Sequence, residues 1–129
     1  MGILVEWESE AHKTILVTYE RIWTWEDFAS SKVQIDTRLN SVPHTVNIIS
    51  DSRQSAGLPN GNALSVLSRS FQSAPSNIGL VVVLGANPFF KALLQILQTV
   101  SLNRAAKNIR FVKSEEDAKM LITHAAQAS

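Results

Sequence analysis

The chain of 129 residues contains no cysteine, so thiolate nucleophiles, disulfides and cysteine-ligated zinc lie outside its chemistry. Its three histidines, His12, His44 and His124, fall in a hairpin turn, a helix-to-strand loop and the last helix. No two of them stand at the i, i+4 spacing that aims a pair of imidazoles at one metal. No Gly-x-Ser-x-Gly sequence occurs, so no serine is placed on a nucleophile elbow. Asp51 ends one strand-like segment and Lys113 ends another, a pairing that phosphoryl transfer to a carboxylate could use. That reaction needs an acidic pair for Mg²⁺ and a hydroxyl side chain beside the acceptor. No two adjacent acids directly follow the first strand, and Gly85 stands at the hydroxyl position. Asp51 therefore reads as a loop-capping carboxylate. No catalytic residue, metal ligand or cofactor is expected.

What remains is binding. Polar residues gather in two turns, Ser50 to Asn62 and Gly85 to Pro88. Each feeds a helix N-terminus, where free N–H groups and the positive end of the dipole attract anions. Asn60, Asn62 and Asn87 offer donors, and Arg53 offers a charge. The candidate rim is thus Asp51, Ser52, Arg53, Asn60, Asn62, Gly85 and Asn87, with Ala86 between the last two. The competing reading is that Asn62 and Asn87 cap helices and the glycines make turns, which these residue types do routinely.

The elements that must position this rim follow from periodicity. Ile3, Val5 and Trp7 alternate with Leu4, Glu6 and Glu8, and Thr14 to Tyr19 alternates again, so the chain opens with a β-hairpin. Thr24-Trp25-Glu26-Asp27 resembles a capping box, and Trp25, Phe28, Ala29, Ile35 and Leu39 follow at helical spacing until Val42-Pro43 stops the helix. Val46 to Ser50 is a short β-branched strand. Leu64, Leu67, Phe71 and Ala74 mark one face of a second helix. Ile78 to Leu84 is apolar on both faces, as in a covered parallel strand. Asn87-Pro88 opens a third helix whose expected buried stripe is Phe90, Leu93, Leu94, Leu97 and Val100. Ile109 to Val112 is a last strand. Ser114-Glu115-Glu116-Asp117 opens a fourth helix that faces inward with Ala118, Leu121, Ile122 and Ala125.

The order ββαβαβαβα predicts an α/β fold: a mixed, mostly parallel five-stranded sheet with four helices, in one domain over residues 1–129. A composition of 45% hydrophobic and 18% charged residues suits a chain with a real core. The net charge of +1 argues against a dedicated nucleic-acid binder. Arg104, Lys107, Arg110 and Lys113 lie in a stretch without acid, but a solvated face accounts for them. The longest apolar stretch, Ile78 to Ala86, is far short of the roughly 20 residues a membrane helix needs. The N-terminus has no basic region and carries Glu6, Glu8 and Glu10, unlike a secretory signal. A soluble, cytoplasmic chain without a membrane or nucleic-acid partner is expected.

The element order and length resemble the STAS domain, the fold of bacterial anti-sigma-factor antagonists. The likeness rests on the leading hairpin, the strand Val46 to Ser50 running into a loop and helix, the apolar strand Ile78 to Leu84, and the ending Phe111-Val112-Lys113-Ser114-Glu115-Glu116-Asp117-Ala118. The stretch Trp23 to Phe28 is also similar to divergent STAS-like proteins of unassigned role. Regulatory members carry Asp-Ser-Ser-Gly at the start of the helix after the third strand, one serine being a phosphate acceptor. Here the region begins Asp51-Ser52-Arg53-Gln54-Ser55, without Ser-Ser-Gly, so the phosphoswitch is not carried over. The resemblance implies a non-enzymatic, regulatory module that contacts another protein through the loop after the third strand. A small anionic ligand or nucleotide at the same rim is the alternative. Trp7 and the hairpin edge offer a further contact, to a second copy of the chain.

Overall fold

The computed structural model describes residues 2–101 and 103–128, the last three for their backbone alone. Two antiparallel strands, β1 (Ile3–Trp7) and β2 (Thr14–Tyr19), form the expected hairpin, with Ile3 opposite Tyr19 and Trp7 opposite Ile15. Helix α1 (Trp25–Asn40) follows, then β3 (Val46–Asp51), α2 (Ala63–Gln72), β4 (Ile78–Leu84), α3 (Pro88–Val100), α4 (Arg104–Lys107), β5 (Ile109–Val112) and α5 (Glu115–Ala128). The sheet order is β1-β2-β3-β4-β5, and every pair after the hairpin is parallel. The architecture is the expected α/β one, with one more helix. The extra element, α4, is a single turn of four residues capped by Asn103. It is too short to leave a periodic signal in the sequence.

Each crossover advances one strand in the same direction. Right-handed connections of that kind place their helices on one face. The core reflects this. Leu39 of α1, Leu67 of α2, Phe90, Leu94 and Leu97 of α3 and Ala105 of α4 pack with Val5, Val17, Ile48, Val83 and Ile109 from one side of the sheet. The other side holds a smaller cluster in which Ala118, Leu121 and Ile122 of α5 meet Ile49, Val82 and Val112. β4 is covered on both faces, as its unbroken apolar run requires. Beyond the reach of α5, the β1 residues Leu4 and Glu6 are exposed.

Two expectations about helix faces are corrected. Val100 is 71% exposed rather than part of the buried stripe of α3. It lies on the outer flank of the helix with Phe89 and Ile96, which are exposed with it, beyond the half-buried Leu93 that still packs on the core. Leu64 likewise sits at the open margin of α2. Both helices carry more apolar surface than the sheet can cover. Among the described residues no helix is long and apolar enough to cross a membrane.

Candidate functional site

Parallel pairing brings the carboxyl ends of four strands to one edge. Thr18 of β2 lies beside Asp51, Asp51 beside Leu84, and Leu84 beside Val112. The connections leaving these ends form a rim of the kind where open α/β sheets place ligands. Two backbone bonds extend the ladder into it: Ser52 N–H donates to the Leu84 carbonyl (2.8 Å) and Gly85 N–H to that of Val112 (3.1 Å).

The loop between β3 and α2 has no regular structure, yet it is held at several points. Trp23 Nε1–H donates to Ser55 Oγ (2.9 Å), and Ala56 N–H donates to the Arg21 carbonyl (2.8 Å). Further along, Trp25 Nε1–H donates to the Asn60 carbonyl (2.9 Å). The aromatic residues near the start of the chain therefore serve as the loop's anchors. Trp23 is buried, its ring 5.0 Å from that of Tyr19 and 5.4 Å from that of Trp25. Thr24, the residue after Trp23, completes the capping box with Asp27 and so sets the start of α1 at Trp25.

The predicted rim residues divide into three groups. Ser52, Arg53, Gly85 and Asn87 meet around one hollow of about 200 Å³, closed by Trp23, Ser55, Gly57, Leu58 and Phe90. The Ser52 hydroxyl is buried there with no protein hydrogen-bond partner. Asp51 does not join it. As the next residue after Ser50 in a strand, it points to the opposite face, towards Leu16, Ile49, Glu115 and Lys119. Asn60 and Asn62 lie at the far end of the loop, exposed to solvent.

Capping accounts for both helix-opening asparagines. Asn62 Oδ1 accepts from Ser65 N–H (3.2 Å), and Asn87 Oδ1 accepts from Phe90 N–H (2.8 Å). Gly85 adopts φ +74°, the left-handed turn that lets the chain pass beside Arg53.

Arg53 is not the free charge the sequence reading offers. Its guanidinium straddles two carboxylates: Nε–H and an Nη–H donate to Asp51 (3.0 and 2.8 Å), and an Nη–H donates to Glu115 Oε1 (2.8 Å). Asp51 also accepts from the Arg53 backbone N–H (3.1 Å), which is the expected loop-capping role. The cluster pins the loop after β3 to the first turn of α5. Glu115 was not singled out from the sequence, although its place just after the last parallel strand puts it at the same edge.

Hydrogen bonding to Arg53 holds the Asp51 carboxyl below the usual carboxylate range, against partial burial that pushes it up. The stability this contributes is present above the unfolded carboxylate pKa of about 4 and is lost as pH falls through the lower folded value. Arg53→Met is expected to lower the melting temperature at pH 7, with the gap to the parent protein closing below pH about 4. Thermal unfolding across pH 2–7 reads this directly. A gap that stays constant with pH would show that the cluster does not set the Asp51 titration.

The histidines stay apart from the rim. His12 stacks on Trp7, with centroids 4.4 Å apart and planes 6° from parallel. A ring nitrogen of His44 lies 2.7 Å from the His12 carbonyl oxygen, and His124 is exposed on α5. Among the described residues no three His, Asp or Glu side chains gather as a metal site would require. Compared with known proteins, the chain matches no protein-family model and no curated protein.

Proposed function

We propose that the chain is a STAS-like, non-enzymatic interaction module that meets another protein through the strand-end rim. The observation that carries this is the state of the loop after β3: irregular and polar, yet tied by two indole N–H groups and an arginine–carboxylate cluster. A loop fixed in this way is presented at little further ordering cost on binding. Apolar side chains flank it. Phe89, at the start of α3, is 64% exposed and Ile22 is 67% exposed. Leu58 lines both the central hollow and a shallower one beside Ile22. A polar loop bordered by exposed aromatic and aliphatic groups is the composition of a protein contact surface. The consecutive strand order with one hairpin supports the STAS likeness, and the lack of Ser-Ser-Gly keeps the phosphoswitch out of the proposal.

A photo-crosslinking residue at Gln54 or Asn60 is expected to capture one partner in the native cell, and the same group at Thr37 on α1 to capture none. Phe89→Asp is expected to abolish the capture. Equal labelling from both positions would remove the rim as the working surface.

The Ser52 hydroxyl supports a second reading, a small ligand in the hollow it lines. With Arg53 already neutralised by two carboxylates, that ligand would depend on neutral donors. A melting temperature raised by millimolar phosphate or nucleotide would favour it; no shift would dismiss it.

A further inference from the structure

A second cavity, of about 90 Å³, lies between the sheet and the first two crossover helices, away from the rim loop. Its floor is the sheet, from which the buried Tyr19 and Ser50 side chains line it. Its walls include Phe28 and Ile35 of α1 and Phe71 of α2. α1 leans on β1 while α2 leans on α3 and α4, and the cavity opens between the two helices. Three half-buried polar side chains, Lys32, Asp36 and Ser70, edge the opening.

We infer that this cavity binds an uncharged, mainly aliphatic small molecule that carries one hydrogen-bonding head. Its walls are overwhelmingly apolar, which favours hydrocarbon over water. Its size sets the ligand's size: a cavity of about 150 Å³ holds benzene, so about four carbons fit inside and the head lies in the mouth.

The charge of the head follows from the mouth. Lys32 is the lone cation of the lining, and it is paired with Asp36 one helical turn away. The mouth therefore offers donors and acceptors but no net charge, which suits a hydroxyl or an amide. A carboxylate would have to displace Asp36 or remain unpaired against apolar walls, which is costly. The floor adds no charge either: a phenol is neutral at pH 7, and burial pushes that of Tyr19 further up, to about 12. Phe90 lines both this cavity and the rim hollow, so an occupant touches a side chain that the rim also uses.

The test is a titration of the ¹⁵N-labelled full chain with 1-pentanol and, separately, with pentanoate at pH 7. Saturable amide shifts centred on Phe28, Ile35 and Phe71 are expected with pentanol, and at least tenfold weaker binding with pentanoate. Ala74→Leu, which fills the cavity from the turn after α2, is expected to weaken pentanol at least tenfold. Asp36→Asn, at the cavity mouth, frees Lys32 and is expected to strengthen pentanoate at least tenfold. Absence of saturable shifts with pentanol would overturn the inference. So would pentanoate binding as tightly as pentanol, or an Asp36→Asn protein that gains nothing for the carboxylate.

Discussion

Trp23→Ala is expected to lower the unfolding free energy by about 3–5 kcal/mol, the range for removing a large buried aromatic ring. The ring is 6% exposed and packs edge-on against Tyr19 and Trp25, with Phe28 at 6.2 Å. Its loss leaves a cavity beneath the strand-end rim rather than at the periphery. It also removes the donor to Ser55 Oγ, and with it an anchor of the loop after β3. Two measurements separate these effects. Denaturant unfolding reads the total. Amide exchange reads the loop, where Ala56 N–H donates to the Arg21 carbonyl and Gly57 N–H to Ser55 Oγ (3.2 Å). Both amides are expected to lose protection in Trp23→Ala. Trp23→Phe keeps most of the packing but loses the indole donor and part of the ring volume, so it is expected to cost about 1–2 kcal/mol and still to loosen the loop. Unchanged protection of Ala56 and Gly57 in both variants would mean that the loop is held from elsewhere.

The second large effect is expected at Gly85. With φ at +74°, any L side chain there carries the left-handed penalty of about 1–2 kcal/mol. The added Cβ would also lie 2.5 Å from Arg53 Cγ and 3.2 Å from Arg53 Cα, and the latter is backbone that cannot swing aside. Gly85→Ala is therefore expected to cost about 2–3 kcal/mol in all and to push Arg53 off its carboxylates. The acid limb of its stability curve should then resemble that of Arg53→Met, because the same support of the Asp51 carboxylate is lost. Gly85→Asn separates the two causes. Asparagine tolerates the left-handed region, so it would recover stability if φ alone mattered. It is expected not to, since its Cβ meets Arg53 just as alanine's does. A cost under about 1 kcal/mol for both variants, with an unaltered acid limb, would show that the turn re-forms without the glycine.

The elements around the rim were legible wherever their cause was local. The Thr24–Asp27 capping box and the asparagine caps at Asn62 and Asn87 depend on contacts within four residues, and all three form. The hairpin and the doubly covered strand β4 also follow from pattern alone. The same local logic kept Asn62 and Asn87 in the candidate rim with helix capping as the competing reading, and both side chains do cap helices. It failed at Arg53, whose charge looked available because Glu115, 62 residues away, could not be seen beside it. It failed again at Val100, because spacing shows that a helix side is apolar but not whether the sheet is wide enough to cover it.

Residue order by itself settled the alternation of strands and helices, the helix starts and the polar character of the strand-end turns. These depend on backbone preference and on side chains a few residues apart. Tertiary structure alone decided that every crossover steps the same way and leaves α5 to cover the opposite face. It also decided that Arg53 is shared between Asp51 and Glu115, and that α1 and α2 part over an apolar cavity. Those outcomes depend on which distant surfaces come together, and many pairings of similar apolar faces satisfy the same local pattern until the whole sheet assembles.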